Sequence, residues 1–148
     1  MNVHEAIKCS IEAGSMVCLA YLADLSDDDL MRRACPGINH INWQVGHLIA
    51  SEHDLVNMAV PGSMPELPEG FAAKYGKATA TSDDASQFCT KAELMAAYET
   101  QRAGTPATLA KLSEADLDRP TGVTWAPNVS ALMAMQGWHW LMHSGQWA

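Results

Sequence analysis

Apolar residues recur three or four positions apart near the start of the chain, at Val3, Ile7, Ile11, Ala13, Val17, Cys18 and Leu22. This is the pattern of a helix with one face turned to a core, and it predicts a first helix over residues 3–23. The acidic run Asp24 to Asp29 breaks it, and Ser26 with Asp29 has capping-box spacing for a short turn. Pro36-Gly37 marks a turn. Asn39 is a good N-cap for a second helix from His40 to about Ala59, with a buried face drawn from Trp43, Val45, Leu48, Ile49, Leu55 and Val56. Pro61-Gly62 ends it. Residues 61–90 have no clear period and carry Phe71 and Tyr75 as aromatic anchors. A stretch this long suits a crossover between two helices of a bundle.

Thr90 and Glu93 form a second capping box, opening a third helix to about Lys111, with Thr105-Pro106 as a kink point. Ser113-Glu-Ala-Asp-Leu echoes Ser26-Asp-Asp-Asp-Leu, a short turn after a long helix. Residues 120–127 read as a loop, and a fourth helix starts near Asn128 or Ser130 and runs to the chain end. No strand alternation of any length is present. The expected fold is all-α, a four-helix bundle with one long crossover between helices 2 and 3, and residues 1–148 form a single domain.

Composition narrows the function. The 148 residues carry a formal charge of −8, which disfavours a grip on nucleic acid or anionic membrane. No apolar run approaches the roughly 18 residues of a membrane span. The N-terminus lacks the basic and apolar regions of a signal peptide, so the expected location is cytoplasmic. Cys9, Cys18, Cys35 and Cys89 include no C-x-x-C pair, so four free thiols are expected, mostly as small buried hydrophobes.

The chemistry lies in the six histidines. His139 and His143 are four apart, one turn on one helix face, where two imidazoles can grip one metal ion. A site open to water wants a third ligand, and His4, His40, His47 and His53 are the candidates. His40 and His47 stand about 10.5 Å apart along a helix and cannot share an ion. His40, at the helix start, is expected to be exposed. His47 lies among Val45, Leu48 and Ile49 and is expected to be partly buried, where it needs a polar partner. His53 faces another direction, and His4 in a first turn can be solvated. No histidine has a glutamate three residues before it, and H-E-x-x-H is absent. These absences remove the ferritin-like di-iron and zincin patterns.

Two segments resemble a known family. Asn39-His-Ile-Asn-Trp43-Gln-Val-Gly-His47-Leu-Ile-Ala-Ser-Glu52 is similar to the second-helix motif of the DinB/YfiT-like metalloenzyme superfamily. His139-Trp-Leu-Met-His143-Ser-Gly145-Gln146 is similar to its last-helix motif. With the order of elements, the resemblance covers nearly the whole chain. It implies up-down-down-up topology and a metal site of His47, His139 and His143. Three neutral imidazoles suit a divalent ion, zinc or nickel best with iron and copper as alternatives, and leave open positions for water or substrate. Gln146 lies on the ligand face and is a candidate to orient a ligand or water; Trp43, four before His47, is a candidate pocket wall. Trp138 and Trp140 flank His139 as core or interface residues.

Characterised relatives in the superfamily include thiol-dependent transferases and isomerases that use low-molecular-weight thiols, and others have no known reaction. The resemblance therefore implies a metal-dependent transferase or hydrolase that activates a small thiol or water against a small electrophile. The alternative is a non-catalytic bundle that binds metal or a small ligand, or forms a homodimer. Relatives extend the last helix further than this sequence does, so fraying or a partner subunit is expected to bear on the site.

Overall fold

The computed structural model describes residues 1–148 and is helical apart from one short hairpin. Four helices are long: α1 (Val3–Leu22), α3 (Ile41–Ala59), α5 (Lys91–Leu109) and α7 (Val129–Ser144). Between them lie the short helices α2 (Asp27–Leu30), α4 (Phe71–Lys74) and α6 (Glu114–Asp118), and the strands β1 (Pro120–Val123) and β2 (Ala126–Asn128). No helix is long and apolar enough to cross a membrane.

The helix starts follow local chemistry. Reciprocal capping boxes open α1 (Asn2/Glu5), α2 (Ser26/Asp29), α5 (Thr90/Glu93) and α6 (Ser113/Asp116). Each satisfies backbone donors that a helix leaves unpaired at its first turn. Asn128 caps α7 by accepting from the Ala131 amide at 3.0 Å. The start of α3 differs from expectation. His40 is the N-cap, its Nδ1 accepting from the Trp43 amide at 3.0 Å, and it is fully buried rather than exposed. The Phe88 ring packs edge-on against the imidazole, 4.7 Å between centroids, so the crossover covers this helix start.

Residues 120–128 also depart from the loop expected there. They form an antiparallel hairpin with Gly122 at φ 77°, a conformation that favours glycine. Strands of four and three residues are too short for alternation to register in the sequence. The last helix stops at Ser144, short of the chain end expected for it, and Gly145 to Trp147 form tighter turns, the Gln146 and Trp147 amides donating to the His143 and Ser144 carbonyls. Cys18 and Cys89 are buried, whereas Cys9 and Cys35 are exposed; all four are free.

Packing sets α7 in place. The stripe Ile7, Ile11, Gly14, Cys18 and Leu22 of α1 is buried, and Gly14 meets Gly137 of α7 where a Cβ on either would collide with the other helix's backbone. The Ser10 hydroxyl donates to the Ala134 carbonyl at 3.1 Å beside this crossing. α3 is the most enclosed helix, buried on nearly every face from Asn42 to Ala50. Gly46 is required there because the Tyr75 ring of the crossover occupies the space a side chain would fill. Phe71, Tyr75 and Phe88 anchor the crossover in a core with Leu48, Ile49 and Leu94. A second core, including Ile7, Val56, Leu132 and Met133, joins α1, α3 and α7 at the other end.

Candidate metal centre

α3 and α7 bring His47 against the one-turn pair His139 and His143. Ring centroids are 6.0 Å apart for His47–His139, 5.9 Å for His47–His143 and 5.2 Å for His139–His143. One ligand nitrogen from each ring lies within 4.8 Å of the other two. A tetrahedral ion with bonds near 2.0 Å needs its ligands about 3.3 Å apart, so small side-chain rotations close the triangle. The donor set is three imidazoles with no carboxylate.

The environment keeps these rings neutral. Burial pushes the imidazolium of His139 down to about 4, with added repulsion from His143 and His47. Burial and then His47 push His143 down to about 4 as well. Burial alone lowers His47. Neutral imidazole is the form that binds a metal, so no proton has to leave near neutral pH.

Two neighbours orient the rings. Trp43 stacks on His47 with centroids 5.0 Å apart and planes 8° from parallel. Its indole N–H is held in turn by Thr79 Oγ1 at 3.1 Å and the Gly76 carbonyl at 3.3 Å. His143 Nδ1 lies 3.1 Å from Gln44 Oε1. That oxygen also accepts from Trp147 Nε1 at 2.9 Å, while Gln44 Nε2 donates to the Asn39 carbonyl at 2.7 Å. With its amide group so oriented, Gln44 presents only an oxygen to His143. The proton therefore sits on Nδ1 and the lone pair on Nε2 is free for a ligand role.

Gln146, the sequence candidate for such a role, lies exposed on the turn after α7. The remaining histidines are elsewhere: His4 bonds the Leu112 carbonyl at 2.8 Å, His53 bonds Gln101 at 3.2 Å, and His40 caps α3. Trp140 is buried, whereas Trp138 is 45 % exposed beside His139.

Behind the triangle lies a buried charge network that the sequence reading did not anticipate. Glu52 of α3 is 1 % exposed. Its carboxylate accepts from the Thr105 hydroxyl at 2.5 Å and Trp140 Nε1 at 3.2 Å, and pairs with Arg102 Nη2 at 3.0 Å. Burial raises the Glu52 carboxyl, opposed chiefly by Arg102. Arg102 also donates to the Gln136 carbonyl of α7 and lies 5.6 Å from the Tyr98 ring centre and 5.4 Å from that of Trp140. The signal available for Gln44 and Glu52 was two strongly polar residues inside an otherwise buried helix segment.

Residues 11–147 match the DinB superfamily, and the chain belongs to that superfamily. No curated protein and no solved structure gives a significant match.

Proposed function

We propose that this protein is a metal-dependent enzyme in which His47, His139 and His143 hold a divalent ion, zinc or nickel. The observation that carries the reading is the convergence of three ligand nitrogens, from two helices, within 4.8 Å of one another. When bound, such an ion lowers the pKa of a small thiol or water and polarises a carbonyl. The reaction class we infer is transfer of that thiol or water to a small electrophile, a transferase or hydrolase activity. Trp43 holds the plane of His47, and Gln44 holds the tautomer of His143. Trp43 is also our candidate pocket wall, and exposed Gln146 remains a candidate contact for an incoming molecule.

In this reading the four long helices form one up-down-down-up bundle spanning residues 1–148. The pairings Ser10–Ala134 and Asn42–Cys89 support it, as do Glu52–Thr105 and Gln44–His143. They fit α1 parallel to α7, and α3 parallel to α5 but antiparallel to α7. We place the protein in the cytoplasm, in keeping with its free thiols.

A second reading is a non-catalytic module that binds metal or a small ligand, or pairs with a second copy. Trp138 and Met142, 45 % and 56 % exposed, favour it by forming apolar surface on the helix that carries two of the histidines. A cavity of about 540 Å³ between Glu66–Lys74 and α5 also includes none of the three. A screen of small thiols with electrophilic acceptors, on metal-loaded and metal-stripped protein, separates the two. Turnover that disappears with the metal and in His143→Ala supports the enzyme; metal binding without turnover on any acceptor supports the module.

A further inference from the structure

We propose that Glu52 and Arg102 are positioning residues of the three-histidine centre, their buried ion pair fixing the register of α7 against α3. The inference rests on the metal-centre reading above. Glu52 stands on the same helix as His47, five residues beyond it, and its carboxylate bonds the indole of Trp140, the residue after His139. Arg102, from α5, pairs with that carboxylate and reaches the Gln136 carbonyl, one turn before Trp140. The pair therefore touches α7 at two points next to the ligand turn and α3 at one.

Stability alone does not account for such a pair. Removing two charges from water is costly, and apolar residues of equal volume commonly serve a core as well or better. What apolar contacts lack is direction. Leu132 and Met133 of α7 pack in the core shared with Val56, contacts that tolerate sliding and repacking. Hydrogen bonds to a carboxylate and a planar guanidinium do not, and Arg102 is further held against the Tyr98 and Trp140 rings. A helix shift of about an ångström would spread the three ligand nitrogens, and supporting contacts of this kind typically change metal affinity by about 10–100-fold.

The test is zinc affinity, measured by competition with a chromophoric chelator, together with the absorption spectrum of the cobalt-loaded protein. Two variants are compared with wild type: Glu52→Leu/Arg102→Met, which replaces the pair with apolar volume, and Arg102→Lys, which keeps the charge but loses the planar fork. We expect both to retain helical circular dichroism, to bind zinc at least about tenfold more weakly, and to give an altered cobalt spectrum. Leu132→Ala, a plain core loss, should leave that spectrum unchanged. Wild-type affinity and spectrum in either folded variant overturn the inference; should the double variant not fold, Arg102→Lys decides. Wild-type protein that binds no zinc or cobalt overturns the metal-centre reading itself.

Discussion

His143 and Gln44 face each other across the α3–α7 interface, Nδ1 to Oε1 at 3.1 Å. Because the Gln44 oxygen also takes the Trp147 N–H, and its amide nitrogen is spent on Asn39, the glutamine cannot flip without breaking three hydrogen bonds. Gln44→Ala should therefore free the His143 ring and weaken metal binding by about 10–100-fold. Chelator competition reads this directly; an unchanged affinity would show that His143 needs no such support.

The depressed histidines predict a pH window for the metal-free protein. Unfolded, His139 and His143 take up protons below their ordinary 6.5; folded, they refuse them until about 4. Between these values the unfolded chain binds more protons, so folding stability is fully present above 6.5 and falls as pH drops towards 4. Urea midpoints at several pH values should decline across this window. The decline should be shallower in His139→Gln/His143→Gln. Asp29, Asp84, Glu93 and Asp116 are held below the usual carboxylate range by their capping and turn hydrogen bonds, so their contribution is lost only at lower pH.

Gly137→Ala should destabilise the fold by about 1–3 kcal/mol, the usual cost of overpacking. The added methyl would meet backbone of α1 at Ser10, which cannot retract as a flexible side chain can. A matched substitution at Gly145, where a Cβ meets nothing closer than ordinary contact, should cost little by comparison. Thermal midpoints of the two variants check the contrast.

Gly46→Ala should loosen the crossover rather than the helix that carries it. Alanine is the better helix former, yet its methyl would occupy the space of the Tyr75 ring. We expect faster proteolysis within residues 61–90 and a loss of stability despite the gain in helix propensity. Unchanged proteolysis would show that Tyr75 docks without this glycine.

The features legible in the sequence were those with local chemistry. Ser26/Asp29 and Thr90/Glu93 were readable as capping boxes because both partners lie within one turn. The His139/His143 pair was readable because helix geometry alone places it. His40 was misjudged because its burial depends on Phe88, far along the chain. Gln44 and Glu52 escaped notice for the same reason: their partners His143, Trp147, Arg102 and Trp140 lie far along the chain. The hairpin at 120–128 is too brief for periodicity to reveal.

The most direct test is elemental analysis of the protein purified without a metal-affinity tag. We expect close to one zinc or nickel per chain, lost in His47→Ala, His139→Ala and His143→Ala alike. No metal above background, or metal retained in all three variants, would contradict it.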